Sequence, residues 1–245
     1  MRVLLPVEEL WAQSFIDYGV LVMNLLVISG GSHPYEESTP ILEKFLVEAG
    51  HSVKVSWESD ILSNADEMNK FDILLFNTMR VKDLALNQDE QKGVEGFIRN
   101  GKGFVCIHIS GSAAYHWPEF HKITGGGWDM DKSFHPPYGK FEVEIVDPGH
   151  PGVGGISNFV TNDELYMGID YLEGSHIYMQ ATSEEGTYKW KGEQVYMPSD
   201  TFPLGWTRTY GSGKVFVTLL GHNGLSFQTP EFQKIVLNGV DWVNN

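Results

Sequence analysis

The sequence predicts an α/β fold built on a parallel, doubly wound sheet, and three observations indicate it. Continuous apolar runs over residues 24–29 and 103–108 are typical of strands buried on both faces. Segments with helical apolar spacing separate such strands up to about residue 110, which predicts right-handed crossover connections. Glycine-rich turns follow the strands, and glycine permits the tight loops that such connections need.

Capping residues predict where the helices begin. Thr39 as N-cap, with Pro40 at the first helical position, predicts the start of the first helix. Asn87 and Glu90 have the spacing of a capping box, which predicts a later helix that starts there. A last helix is predicted over residues 230–243, where apolar residues share one face. Further strands are predicted over residues 53–55, 72–76, 141–146, 177–181, 204–208 and 215–220.

Composition limits the partners of the chain. Its 245 residues, 42% hydrophobic and 20% charged, are typical of a globular protein with a sizeable core. The formal net charge of −15 repels nucleic-acid phosphates and anionic lipids, so we expect neither nucleic acid nor membrane as a partner. A neutral, cationic or metal-bridged small molecule fits this charge better. The sequence is compatible with a homo-oligomer but does not specify one.

Residues 23–245 are predicted to form a single domain, because no linker or repeat interrupts them. Residues 1–22 are predicted to be an N-terminal extension, either a mis-called start or a short surface helix. They lack the basic start and the cleavage site of a signal peptide. The single cysteine, Cys106, excludes an intrachain disulfide and agrees with a reducing, cytoplasmic location.

Three predicted strands end in polar turns that carry a histidine. His33 follows the first strand, His108 ends the strand over residues 103–108, and His222 follows the strand over residues 215–220. The carboxyl ends of parallel strands meet at one edge of the sheet, where α/β proteins bind ligands, so we expect these side chains to converge. A long loop rich in glycine, histidine and proline is expected to bring His135 over the same crevice.

Four histidines near one crevice predict one of two kinds of site. Neutral imidazoles with a carboxylate suit zinc and similar divalent ions, so His33, His108, His135 and His222 are candidate metal ligands. No closely spaced histidine pair marks a motif, and any such site is assembled from distant segments. In the alternative, two of the four are structural histidines and the others bind the substrate directly. His33, His135 and His222 are the candidate substrate-binding histidines, and His108 is the candidate for proton transfer.

Asp163 and Glu164 are the candidate catalytic carboxylates. Either is suited to general acid/base chemistry or to orienting a histidine, and the alternative is an ordinary turn. Flat aromatic side chains are candidates for stacking against a ligand, although aromatic residues are also common in cores. The candidate stacking residues are Tyr115, Trp128, Tyr166 and Trp206.

A series of short motifs gives the chain a family resemblance. The motifs are, in order, Gly101-Lys102-Gly103-Phe104-Val105 with His108, Gly125-Gly126, Phe134-His135-Pro136, His150-Pro151, Asp163-Glu164-Leu165-Tyr166, Pro203 with Trp206, and Gly211 to Gly213-Lys214-Val215-Phe216 with Gly221-His222. Each is weak alone, but their order resembles that of the trehalose-utilisation (ThuA-like) family over residues 23–242. Lys214 stands where the family more often has arginine.

This resemblance implies a flavodoxin-like three-layer sandwich with a mostly parallel central sheet, like that of class I glutamine amidotransferases. It implies a role in the utilisation of trehalose or a related disaccharide or keto-sugar. The expected protein is a sugar-modifying hydrolase, lyase or isomerase that uses histidine and carboxylate acid/base chemistry, with a divalent metal as a candidate cofactor. The alternative is a non-catalytic carbohydrate-binding or regulatory domain.

The amidotransferase activity itself is not expected. Those enzymes carry a nucleophilic cysteine at a sharp turn between a strand and a helix, and His108 occupies that position here. Cys106 lies two residues earlier, within the apolar strand, where a thiolate is disfavoured. We therefore expect Cys106 to be structural.

Overall fold

The structure, a computed structural model, describes residues 22–108, 117–129 and 131–244. The predicted extension over residues 1–22 lies outside this range except for Val22, and Tyr115 lies outside it too. The strands are β1 Asn24–Gly31, β2 Ser52–Ser56, β3 Ile73–Met79, β4 Gly103–Ile107, β5 Gly126–Gly127, β6 Gly139–Ile145, β7 Phe159–Asp163, β8 Asp170–Tyr171, β9 His176–Thr182, β10 Gly186–Trp190, β11 Glu193–Met197, β12 Thr201–Tyr210 and β13 Gly213–Thr218. The helices are α1 Tyr35–Glu48, α2 Ala65–Met68, α3 Gln88–Arg99, α4 Pro118–Thr124, α5 Gly224–Phe227 and α6 Pro230–Asn244.

The central sheet has nine strands in the order β2-β1-β3-β4-β13-β12-β9-β6-β7. Its first half is parallel: β1 pairs with β2 and β3, and β4 pairs with β3 and β13. Every parallel strand here needs a crossover, and α1 and α3 supply the crossovers after β1 and β3. The mixed α/β class predicted from the alternating pattern is therefore observed.

The expectation of a mostly parallel sheet is wrong for the second half. β12 runs antiparallel to β13 and β9, and β6 runs antiparallel to β9 and β7. The reason lies in the connections, because only the short turn at Gly211-Ser212 joins β12 to β13, and such a turn reverses the chain. The polar segment between β9 and β12 forms its own hairpin, β10–β11.

Helices cover both faces of the sheet. On one face, Phe120 of α4 contacts the rings of Phe76 and Phe104. On the other face, α6 brings Gly239 against the ring of Phe216, which pairs with Val105 and so points away from Phe104. The sandwich therefore has three layers, with the buried parallel strands in its centre. Among the described residues, no helix is both long enough and apolar enough to cross a membrane.

The helix starts agree only in part with the capping predictions. The capping box of Asn87 and Glu90 is confirmed at the start of α3. The predicted start at Thr39 is wrong, because α1 already begins at Tyr35. The hydroxyl of Thr39 instead faces the sheet, where it is 2.5 Å from the hydroxyl of Ser29 and accepts a hydrogen bond from Asn77. Thr39 therefore lies within α1, where its hydroxyl hydrogen-bonds to the buried side chains of Ser29 and Asn77 and does not cap the helix.

Candidate functional site

The candidate site lies at the carboxyl edge of the parallel strands. β1, β4 and β13 run in the same direction, so the residues after them meet at one edge. The structure places the rings of His33, His108 and His222 there, with centroids 5.0–5.4 Å apart. The convergence expected from the strand order is therefore present in the geometry.

His108 has a strained backbone at the end of β4. Its φ of +49° lies in the left-handed region, which residues other than glycine seldom occupy. Such strain persists only where the surrounding structure enforces it, and it is concentrated at functional sites. The turn therefore delivers an imidazole at the position where the amidotransferase comparison expects a nucleophile.

Two hydrogen bonds hold the His108 ring and define its tautomer. Nδ1 lies 2.7 Å from the carbonyl oxygen of Leu219, which only accepts, so Nδ1 carries the proton. In the neutral ring, Nε2 then has the free lone pair, 2.6 Å from the hydroxyl of Tyr166, whereas the protonated ring would donate from Nε2 towards Glu164. The ring is 1% exposed. A histidine with its Nδ1 proton on a backbone carbonyl and its Nε2 directed inward has the arrangement common for metal ligands.

Glu164 connects the imidazoles. Its Oε2 is 3.1 Å from Nδ1 of His222 and 3.6 Å from Nε2 of His108, while its Oε1 is 3.6 Å from Nε2 of His135. Burial alone would raise the pKa of Glu164, but His108 and His222 lower it well below its usual range. The carboxylate is therefore ionised. Burial alone would lower the pKa of His222, and the nearby carboxylates of Glu164 and Asp163 raise it above its ordinary value.

His33 completes the cluster as a neutral ring. Burial, together with the neighbouring imidazoles of His108 and His222, lowers its pKa to about 3. Its Nδ1 is buried without a hydrogen-bond partner in the described part of the chain. A buried, unpartnered nitrogen is costly, and a ligand would satisfy it.

The geometry of four of these groups fits a divalent metal ion. One ligand atom from each of His33, His108, Glu164 and His222 lies within 4.8 Å of the others. Zinc ligands at about 2.0–2.1 Å in a tetrahedron are about 3.3–3.4 Å from one another. The distances of 3.1 and 3.6 Å from Glu164 to His222 and His108 bracket that value. His135, predicted as a fourth imidazole ligand, is not in this set and faces the other carboxylate oxygen.

Asp163 lies beside the site but does not face it. Its side chain is buried and accepts hydrogen bonds from the backbone N–H groups of Gly221, His222 and Glu164 at 2.7, 3.2 and 2.9 Å. Burial raises its pKa. Of the two roles that the sequence leaves open, this geometry fits the orienting one, because the carboxylate fixes the turn that carries His222.

The aromatic predictions are corrected in one case. Trp206 is fully buried in the core, where its indole N–H donates to the carbonyl of Thr124 and its ring contacts Tyr171. It therefore offers no open face to a ligand. Tyr166 and Trp128 do lie at the site, with ring centroids 4.7 Å apart.

Two aromatic residues of the site were not predicted from the sequence. Trp190, at the end of β10, has its ring centroid 4.7 Å from that of His135. Tyr138 lies 5.3 Å from the His222 ring and donates its hydroxyl to the carbonyl of Asn162. The alternation of β10 and β11 around Lys191-Gly192 is a hairpin signal in the sequence. No local signal shows where that hairpin packs.

Comparisons with known proteins identify a family and agree with the fold. The chain matches the ThuA family profile, described as trehalose utilisation, over residues 24–243. No curated protein sequence matches it significantly. Among solved structures, a ThuA-like protein from Parabacteroides merdae is 20% identical with a TM-score of 0.72, covering 91% of this chain and 90% of that chain.

Two further structures share the fold at lower identity. A cytoplasmic protein from Salmonella typhimurium is 15% identical with a TM-score of 0.62, covering 91% of this chain and 99% of that one. A β-galactosidase from Rahnella sp. R3 is 14% identical with a TM-score of 0.55, covering 91% of this chain but 31% of the enzyme. These likenesses show the fold alone. The family profile spans nearly the whole chain, and the protein therefore belongs to the ThuA, trehalose-utilisation, family.

Proposed function

We propose that this protein is a metal-assisted enzyme that transfers protons on a neutral sugar, with trehalose or a related disaccharide or keto-sugar as substrate. The observation that carries the proposal is the convergence of three imidazoles and one carboxylate at the carboxyl edge of the sheet. Family membership supports the sugar, and the net charge of −15 favours a neutral ligand over a phosphorylated one. A cytoplasmic location is part of the proposal, supported by the description of the Salmonella neighbours.

In this proposal, His33, His108, Glu164 and His222 hold a divalent ion, with zinc as the first candidate. The bound ion would polarise a sugar oxygen. Asp163 positions His222 through the backbone of the turn, and Leu219 orients His108.

His135 is then the group that moves the proton. Its Nδ1 lies 2.8 Å from the carbonyl oxygen of Pro136, so Nδ1 carries the proton and Nε2 has the free lone pair. Burial lowers the pKa of His135, and Glu164 offsets part of that effect, so the ring is neutral at neutral pH. A neutral imidazole outside the metal set is suited to act as a general base.

The arrangement favours elimination or isomerisation over glycoside hydrolysis of the common kind. That hydrolysis uses two carboxyl groups on either side of the glycosidic bond. Here Glu164 is the carboxylate that lies against the imidazoles, whereas the oxygens of Asp163 accept hydrogen bonds from three backbone N–H groups. In a keto-sugar, the bound ion would polarise the carbonyl, and Nε2 of His135 is suited to accept the proton from the adjacent carbon, which begins both elimination and isomerisation. This step applies to a keto-sugar substrate, because trehalose itself has no carbonyl.

Metal binding is tested first. The protein is expected to bind about one zinc ion, and His33→Ala and His222→Ala are expected to lose it. His176→Ala, at an exposed histidine paired with Asp147, is the matched control and should keep the metal. Free zinc at 100 times its Kd would stabilise the fold by about 2.7 kcal/mol. Equal zinc content in all four proteins would contradict the metal site.

Catalysis is tested separately with trehalose, other disaccharides and their keto derivatives. His135→Ala is expected to retain zinc and sugar binding while turnover falls about 10²–10⁴-fold, the usual contribution of a general base. Unchanged turnover would refute the role of His135. Saturable binding without turnover by the zinc-loaded wild type would favour a non-catalytic carbohydrate-binding domain.

A further inference from the structure

We propose that Trp190, carried by the β10–β11 hairpin, provides the aromatic ring on which a sugar ring stacks at the mouth of the histidine site, with the buried Trp128 behind it in an aromatic wall. This inference rests on the proposed function and assigns its substrate-recognition residue. It replaces Trp206, whose buried ring has no face available.

The wall is a continuous series of ring contacts. Tyr166, whose hydroxyl reaches His108, contacts Trp128 at 4.7 Å between centroids, and Trp128 lies 6.3 Å from Trp190. Trp190 is also 4.7 Å from His135, nearly perpendicular to it. Trp128 is buried whereas Trp190 is half-buried. The series therefore leads from the buried carboxylate site towards solvent, and Trp190 is its outermost ring.

The hairpin places Trp190 independently of the central sheet. β10 and β11 form a separate two-stranded sheet, and Trp190 pairs with Glu193 across the two-residue turn Lys191-Gly192. Both turn residues have positive φ, at +49° and +94°, as a tight hairpin turn requires. A lone two-stranded hairpin is marginally stable, so its position depends on what its side chains pack against. The contacts of Trp190 with His135 and Trp128 therefore help to set the position of the hairpin.

The same face of the hairpin borders a cavity beside the site. Tyr188, two residues before Trp190, shares its face and lines a cavity of about 360 Å³. Pro136, next to His135, and Leu165, next to Glu164, line this cavity as well. The hairpin therefore lines this cavity together with residues that are next in sequence to the site residues.

A neutral sugar is the ligand that this surface fits. The C–H face of a pyranose ring packs on a flat aromatic ring, and its hydroxyl groups point outwards to hydrogen-bond partners. At this site those partners are His135 and the Glu164 carboxylate, both at the inner end of the wall. The formal net charge of −15 disfavours an anionic ligand.

The test compares a flat ring with an apolar side chain that has none. Trp190→Phe and Trp190→Leu are prepared, with Tyr196→Ala as the control, because Tyr196 is 62% exposed on the same hairpin. Dissociation constants for trehalose, maltose and sucrose, and for their keto derivatives, are measured by calorimetry with zinc-loaded protein, together with zinc content and Tm. We expect Trp190→Leu to weaken the tightest sugar at least tenfold, and Trp190→Phe and Tyr196→Ala to stay within about threefold. Zinc content should match the wild type throughout.

Two results would overturn the inference, and they are distinguishable. If the wild type binds a sugar and Trp190→Leu binds it as tightly as Trp190→Phe, the stacking role is wrong while the proposed function stands. If zinc-loaded wild type binds none of the sugars, the proposed function fails and the stacking role fails with it. Should Trp190→Leu lower the Tm or the zinc content, equal sugar affinity per zinc-loaded molecule in the two Trp190 variants would still refute stacking.

Discussion

At the scale of single residues, Glu164 lies close to three of the imidazoles of the site. One of its oxygens lies near His108 and His222, and the other lies near His135. In the proposed function, Oε2 therefore faces two of the imidazoles that hold the metal ion, and Oε1 faces His135, which transfers the proton. The residues around this centre act by holding it in place, and two of them give testable predictions.

Asp163→Asn is expected to weaken zinc binding without removing a ligand. The amide has one accepting oxygen, so its NH₂ group would face at least one of the N–H donors of Gly221, His222 and Glu164. A buried donor left unsatisfied costs about 1–3 kcal/mol, and the His222 turn would shift. Denaturant unfolding and zinc titration measure both effects. Asp147→Asn, at an exposed carboxylate that also accepts a backbone N–H, should change neither.

Tyr166→Phe is expected to tighten zinc binding. The Tyr166 hydroxyl occupies the Nε2 lone pair of His108, and an ion must displace it. A net hydrogen bond is worth about 0.5–1.5 kcal/mol, which corresponds to a gain of roughly two- to tenfold in affinity. Competition titration with a chelator measures the change. Tyr171→Phe removes a hydroxyl bonded to Pro203 outside the site and should have no effect. Weaker zinc binding by Tyr166→Phe would show that the hydroxyl supports the metal.

At the scale of elements, the site depends on how three strands end. β4 ends in the left-handed turn at His108, and β1 and the segment after β13 end in glycines with φ of +112° at Gly31 and +116° at Gly221. The interior of β4 is inert by comparison, because Cys106 is buried and burial raises the pKa of its thiol well above the ordinary value. The histidines of the candidate site therefore lie at the ends of the strands, and the buried interior of β4 holds the strand end in place.

Gly31→Ala is expected to destabilise the protein by more than about 2 kcal/mol, a large effect for one methyl group. A Cβ at this position would lie 1.9 Å from the carbonyl oxygen of Met79, in addition to the strain of a positive φ. Gly174→Ala is the matched control, since Gly174 also has positive φ but has open space around it. That variant should lose only about 1 kcal/mol. Equal losses in chemical denaturation would show that the close approach to β3 relaxes freely.

At the scale of the whole molecule, the fold combines two halves with different tasks. The parallel half, from β2 to β13, provides the buried strands and the edge at which the histidines converge. The antiparallel half provides Asp163 and Glu164 at and just after the end of β7, and it leads into the hairpin that carries Trp190. The site therefore lies where the two halves meet.

A chain that begins at Met23 is expected to fold with nearly unchanged stability. Met23 is 2% exposed and its carbonyl oxygen accepts a hydrogen bond from Ser52, so the described core includes this residue. The family match begins next to it, at residue 24. Thermal unfolding should shift by less than about 4 °C, which corresponds to about 1–2 kcal/mol in a domain of this size. A larger decrease would mean that residues 1–22 stabilise the core.

The parallel half of the sheet, and the edge at which its histidines lie, could be predicted from local sequence patterns. Continuous apolar runs identify buried strands, right-handed crossovers make those strands parallel, and parallel strands end at one edge. His33, His108 and His222 follow such strands directly, so their convergence needed no distant contact. The capping box at Asn87 and Glu90 is local in the same sense and was equally predictable.

The role of Asp163 and the burial of the tryptophans could not be predicted from the sequence, because they depend on contacts between residues far apart in the chain. Asp163 bonds to the N–H of Gly221, 58 residues away, and this contact makes it an orienting group. Packing buries Trp206 completely and places Trp190 beside His135, where it is half-buried. Hydropathy indicates that a tryptophan prefers burial, whereas the arrangement of the surrounding elements decides how deeply each ring is buried.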